Sequence, residues 1–146
     1  MSSDYYSTAI VDAAKGPGMF VTGNTYNAMV LQTSYTFSYT HAFVSDVVAH
    51  ELSVTPYARQ TVTVTVGAWD AGNLRVPIDF TNMSFGSAAT GNTFNSVVIF
   101  DNAGGSDAAR KLRCRLVIPT RSTDSAPIIV NGQNPAFWFT PLPLVP

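Results

Sequence analysis

Polar and apolar positions alternate along much of this chain with a period of two, which sends successive side chains to opposite faces of a β-strand. The cleanest run is Gln60-Thr61-Val62-Thr63-Val64-Thr65-Val66, the pattern of a strand buried on one face and wet on the other. Arg75 to Phe80 predicts a second strand with Val76, Ile78 and Phe80 inward, and Pro77 places it at a sheet edge. Phe94 to Phe100 is strongly β-branched and predicts a buried strand. Lys111, Arg113 and Arg115 alternate with Leu112, Cys114 and Leu116 before Val117-Ile118-Pro119, and a last strand is expected at Ile128 to Val130. Ala28 to Thr33 is an earlier apolar run of strand length, and Tyr35, Phe37 and Tyr39 follow on one face of an extended segment.

Between these runs the chemistry is that of turns. Gly67 to Asn73, Asn82 to Asn92 and Asp101 to Asp107 are rich in Gly, Asn, Asp and Ala and predict loops. Phe43 and Val47 fall at helical spacing behind a Thr40 cap, which predicts one short helix within Thr40 to Leu52. The start, up to Asn24 and broken by Gly16-Pro17-Gly18, predicts a loose or partner-dependent arm with at most one short element. The expected organisation is therefore an arm over 1–24, a domain over 25–134 and a C-terminal strap over 135–146. The expected fold is all-β, an antiparallel β-sandwich of jelly-roll or immunoglobulin-like kind, with at most one short helix and extended arms at both ends.

Composition narrows the classes. The chain has 146 residues and only 12% charged side chains against 46% hydrophobic, about half the roughly 25% charge of an ordinary domain. That combination excludes intrinsic disorder and a long coiled coil. A net charge of −1 gives no electrostatic reason to expect nucleic acid as a partner. Neither a membrane-spanning run nor a signal peptide is legible, so the expectation is a protein made in the cytosol whose mature form starts where the sequence starts, without a membrane partner. Cys114 is the single cysteine and cannot form an internal disulfide.

Few residues offer catalytic chemistry. His41 and His50 lie nine positions apart with Asp46 and Glu51 nearby; on a helix that spacing sends the rings to opposite faces, and the HExxH arrangement is absent. No nucleophile elbow, phosphate-cradling loop or dinucleotide fingerprint is present. Asp70, Asp101 and Asp107 sit in turns, where an Asp ordinarily bonds local backbone amides; Asp101, Asn102 and Asp107 do not have the spacing of a calcium-binding EF-hand. No catalytic residue, cofactor or metal ligand is expected, and the expectation is a protein that is not an enzyme.

Two features suit contact with other protein. Lys111, Arg113 and Arg115, with Arg110 and Arg121, concentrate the positive charge, either as a solvated strand face or as a stripe that meets an acidic neighbour. Phe137, Trp138, Phe139, Leu142 and Leu144 lie in a strap without a charged side chain, whose prolines at 141, 143 and 146 oppose helix and most sheet pairing. Such a strap either closes its own core or docks on another subunit.

The order of segments carries a resemblance. Ala28-Met29-Val30-Leu31-Gln32-Thr33-Ser34-Tyr35 is followed by Thr40-His41, by His50-Glu51-Leu52-Ser53, by Tyr57-Ala58-Arg59-Gln60 entering a strand, and by Val97-Val98-Ile99-Phe100-Asp101 before a Gly-rich turn. From about Tyr26 to Ile118 this resembles small virion structural proteins of tailed bacteriophages, with Val54-Thr55-Pro56 standing where that group commonly has glycines. The resemblance implies a non-enzymatic virion component, foremost a cement or decoration protein on the capsid and alternatively a tail-tip or fibre-adaptor subunit. Its implied partners are other virion proteins and copies of itself. From a different class, a carbohydrate-binding adhesion module would use Tyr35, Tyr39, Trp69 or Trp138 as stacking platforms, with a glycan as partner.

Overall fold

In the computed structural model the described residues are 2–16, 18–73, 75–132 and the backbone of 137–139. They form a mostly antiparallel β fold with one α-helix. In chain order the elements are β1 (Ser2–Tyr5), α1 (Ser7–Lys15), β2 (Thr25–Gln32), β3 (Gln60–Val66), β4 (Val76–Phe80), β5 (Met83–Ser87), β6 (Thr93–Asp101), β7 (Leu112–Ser122), β8 (Pro127–Val130) and β9 (Phe137–Phe139). A seven-stranded sheet runs β1-β7-β6-β2-β3-β4-β9, and β5 pairs β8 in a separate two-stranded sheet. Among the described residues no helix is long and apolar enough to cross a membrane.

The two central strands explain their own sequences. Facing pairs Ala28↔Ile99 and Val30↔Val97 point into a large apolar cluster with Val62, Val64, Phe80, Phe85 and Leu116. The intervening pair Met29↔Val98 points the other way, into a second cluster with Tyr6, Leu31, Val44, Val47 and Phe100. Strands covered on both faces have no wet side to record, so β2 and β6 read as continuous apolar runs. β3 touches the core with one face only, burying Val62 and Val64 while its threonines face outward, and so keeps its alternation.

The covers differ. The β5–β8 pair closes the larger cluster with Met83, Phe85, Ile128 and Val130. The loop expected over Asn82 to Asn92 therefore holds a strand, whose signal is only three alternating positions long before Gly86. The second cluster is closed by 35–47, and the helix expected within Thr40 to Leu52 is instead two single 3₁₀ turns, Val44–Asp46 and Val48–His50. Its backbone is drawn into tertiary bonds: the Val44 and Ser45 N–H groups donate to the Arg110 and Asp107 carbonyls, each at 3.0 Å. The Asp46 carboxylate accepts from the Ala42 and Phe43 N–H groups at 2.8 and 3.0 Å, which holds it below the usual carboxylate range. Three β-branched residues in five positions add little helical propensity to oppose this.

Two expectations about strand edges need correction. The 1–24 segment carries two elements rather than at most one: β1 pairs β7 from Ser2↔Val117 to Tyr5↔Cys114, and α1 packs Ala9 into the core. β4, placed at an edge on account of Pro77, has β3 on one side and β9 on the other, with Pro77 opposite Trp138. The Pro77 carbonyl accepts from the Gly67 N–H at 2.9 Å. A Cβ on Gly67 would lie 2.5 Å from the Pro77 ring, so this corner requires glycine.

Candidate interface site

The basic strand β7 meets its acidic counterpart inside the molecule. Between Ile99↔Cys114 and Phe100↔Leu112 the register shifts, because Arg113 is an extra residue in a β-bulge. The bulge breaks the expected alternation: Leu112 joins the second cluster, whereas Cys114 and Leu116 join the first. Arg113 reaches Asp101 on β6 at 2.6 Å and Asp12 on α1 at 2.7 Å. Lys111 shares Asp12 at 3.3 Å. Arg115 is paired with Asp4 on β1 and lies 5.1 Å from the Phe37 ring centroid, a cation–π distance.

These pairs are partly withdrawn from water; the Arg113 side chain is 11% exposed and Asp12 19%. Burial works against ionisation of Asp12, but the hydrogen bonds and charges of Arg113 and Lys111 outweigh it and hold the carboxyl below its ordinary range. The positive stripe is thus largely consumed in docking β1 and α1 onto β7.

That docking determines what α1 shows to solvent. Its inward arc carries Thr8, Ala9 and Asp12, while Ile10, Val11, Ala13 and Ala14 are exposed. At 100° per residue these four fall on one side of the helix. Ile10 and Val11 are 49% and 45% exposed. The usual amphipathic arrangement is reversed, with the carboxylate facing the protein and the branched aliphatic side chains facing out. Nothing in the pattern before Asn24 shows which side of such a helix is inward until the Asp12 partners on β7 are known.

Of the strap, the backbone of Phe137, Trp138 and Phe139 forms β9 along β4, with Val76↔Phe139 and Ile78↔Phe137. Leu142 and Leu144 lie outside the described residues.

Two polar clusters join residues whose partners the sequence pattern does not reveal. His41 and His50, expected on opposite faces of a helix, both lie beside Tyr35, with ring centroids 5.7 and 5.5 Å away. The Tyr35 hydroxyl shares hydrogen bonds with Tyr6 Oη and His41 Nδ1, each at 3.0 Å. Burial pushes both tyrosine hydroxyls up, so they remain protonated and bridge the N-terminal segment to the 33–43 loop. Tyr35 is only 4% exposed and offers no face to a sugar; Tyr39 and Trp69, at 65% and 49%, do.

In the other cluster Arg59 donates three bonds to Glu51, at 2.6, 2.8 and 3.1 Å, and two to Asp107, at 2.7 and 2.9 Å. The Tyr57 hydroxyl adds a bond to Glu51 at 2.9 Å and accepts from the Val30 N–H. The bonds from Arg59 hold the Asp107 carboxyl low. This network borders a surface pocket of about 410 Å³ lined by Val48, Leu52, Val54 and Tyr57. With its bidentate bonds made, the Arg59 guanidinium ties the 51–59 loop to the 101–110 turn.

Among the described residues no three His, Cys, Asp or Glu side chains are grouped to hold a metal ion. No protein-family model, curated protein or solved structure matches the chain. The likeness to phage proteins therefore stands on the order of sequence features alone.

Proposed function

We propose that this chain is a non-enzymatic structural subunit of a tailed-phage virion, foremost a cement or decoration protein of the capsid, and that it acts by contact with neighbouring virion proteins. The observation that carries the reading is the reversed polarity of α1. Four ion-pairing side chains hold the helix so that Ile10, Val11, Ala13 and Ala14 face out. An exposed aliphatic helix face of this kind is stabilised when another protein covers it. We read the fold as a lopsided sandwich of jelly-roll or immunoglobulin-like kind; what supports this is that strands of the seven-stranded sheet and the β5–β8 pair share the larger cluster.

The double substitution Ile10→Glu with Val11→Glu tests it. Both positions are half exposed, so the thermal midpoint should stay within a few degrees of the parent. Occupancy on purified particles should fall at least tenfold. Unchanged occupancy would remove the α1 contact from the account. Locating the chain by electron microscopy separates the capsid position from the tail-tip or fibre alternative. The exposure of Trp69 and Tyr39 favours a second reading, a glycan-binding adhesion module; glycan-array signal abolished by Trp69→Ala would establish it, and a blank array would retire it.

A further inference from the structure

One arginine of β7 is not consumed by the clamp. Arg59, Arg75, Arg110, Arg113 and Arg115 each meet a carboxylate, whereas Arg121 has neither an ion pair nor a hydrogen bond among the described residues. The carboxylate nearest to it in sequence, Asp124, accepts instead from the Ala126 N–H at 3.0 Å. The register places Arg121 directly opposite Phe94 on β6, so the two side chains leave the sheet on the same face. Phe94 belongs to the larger cluster, and exposed Arg121 therefore stands at the rim of the core.

At that rim the two sheets part. A cleft of about 210 Å³ is lined by Phe94, Ile118, Pro119 and Arg121 from β6 and β7, and by Ile129, Val130 and Asn131 at the end of β8. Both strands beside it are edges. β1 covers β7 only as far as Val117, opposite Ser2, so from Ile118 to Ser122 the one neighbour of β7 among the described residues is β6. The one neighbour of β8 is β5, and Ile129 is 54% exposed. The volume falls below the roughly 300–1,000 Å³ of small-molecule sites and suits an aliphatic side chain or two of a longer molecule.

We propose that the β7–β8 cleft binds an extended acidic segment of another protein, which seats an aliphatic side chain in the cleft and presents a carboxylate to Arg121. Edge strands with unpaired backbone groups recognise extended chain. In such a chain the residue two positions from the buried one shares its face, so the recognised pattern is an acidic residue two places from an aliphatic one. A carboxylate supplies the charge-assisted bonds that Arg121 lacks, and a basic segment is repelled. This contact is chemically distinct from the aliphatic face of α1 and rests on no part of the virion reading.

The probe is the blocked peptide acetyl-TETLTET-amide, whose leucine and two glutamates share one face of an extended chain, and the control is its glutamine counterpart acetyl-TQTLTQT-amide. Amide resonances of the full chain are followed by NMR at low salt, and its mass by sedimentation. The acidic peptide should shift the Ile118, Arg121, Ile129 and Asn131 amides saturably at concentrations up to about 5 mM, and the glutamine peptide should bind at least about fivefold more weakly. Arg121→Gln, a change at an exposed position, should leave the rest of the spectrum in place and erase the difference between the two peptides. Equal binding of the two peptides, or no shift with either, would overturn the proposal and leave Arg121 as an inward charge that guards the edge. So would a full chain that is a dimer and becomes a monomer on Arg121→Gln, because the occupant would then be a second copy. Particle occupancy, which tests the virion reading, enters none of these outcomes.

Discussion

Replacing Arg113 with Met removes the guanidinium that joins α1 to β6 while keeping most of the apolar stem. Arg113 bonds Asp101 at 2.6 Å and Asp12 at 2.7 Å, and its side chain is 11% exposed. Breaking a buried ion pair by deleting one partner costs about 3–5 kcal/mol. Here the two abandoned carboxylates retain 19% and 20% of their exposure and Lys111 still reaches Asp12. Discounting for that access to water, the substitution should cost about 2–3 kcal/mol. For a domain of this size that corresponds to a fall of roughly 6–12 °C in Tm. Asp12→Asn alone should cost about 1–2 kcal/mol. The cycle completed by the double mutant should show coupling of at least about 1 kcal/mol, since both changes remove one shared interaction. Urea unfolding of the four proteins measures this, and hydrogen exchange should accelerate in α1 before the β2–β6 core. A cost below about 0.5 kcal/mol for Arg113→Met, or additivity across the cycle, would refute the argument that this pair fixes the helix.

Asp12, Asp46 and Asp107 all have folded-state pKa values held low. Their stabilisation is complete above the unfolded carboxylate value of about 3.9 and is lost as pH falls through the lower folded values. Stability should therefore drop below about pH 4, and Asp46→Asn, which keeps an amide-accepting oxygen, should make the drop shallower in pH-dependent urea melts. An unchanged acid limb would contradict that role for Asp46. Gly67→Ala would place a Cβ 2.5 Å from the Pro77 ring and should cost about 1–3 kcal/mol; a melt equal to the parent would mean that the β3–β4 corner yields easily. Leu31→Ala removes a fully buried side chain of the second cluster and should cost about 2–5 kcal/mol, whereas a surface-like loss under about 0.5 kcal/mol would show that this face is not packed.

The elements legible in the sequence were those whose burial follows a single rule. β3 spans Gln60–Val66, where the alternation placed it, because one face is wet and the other dry. β6 and β8 agree with expectation within a residue or so at each end, since β-branched runs bounded by turns have few alternatives. β1 and α1 were illegible because what holds them is remote: Asp4 and Asp12 find Arg115, Arg113 and Lys111 about a hundred positions later. The segment 40–52 carried a helical spacing, but the carbonyls of Asp107 and Arg110 claim the Ser45 and Val44 N–H groups, and no local pattern announces such a claim. The basic residues of β7 were visible as a cluster. Their role as an internal clamp was not, because the bulge at Arg113 and the acidic partners are products of the tertiary fold. The outward face of α1 was hidden for the same reason.

The most direct measurement is a reconstruction of the assembled virion at a resolution that traces side chains. The account predicts that Ile10, Val11, Ala13 and Ala14 of every copy lie against a neighbouring subunit and lose most of their exposure. Copies whose α1 face stands in solvent, or particles that lack the chain, would contradict it.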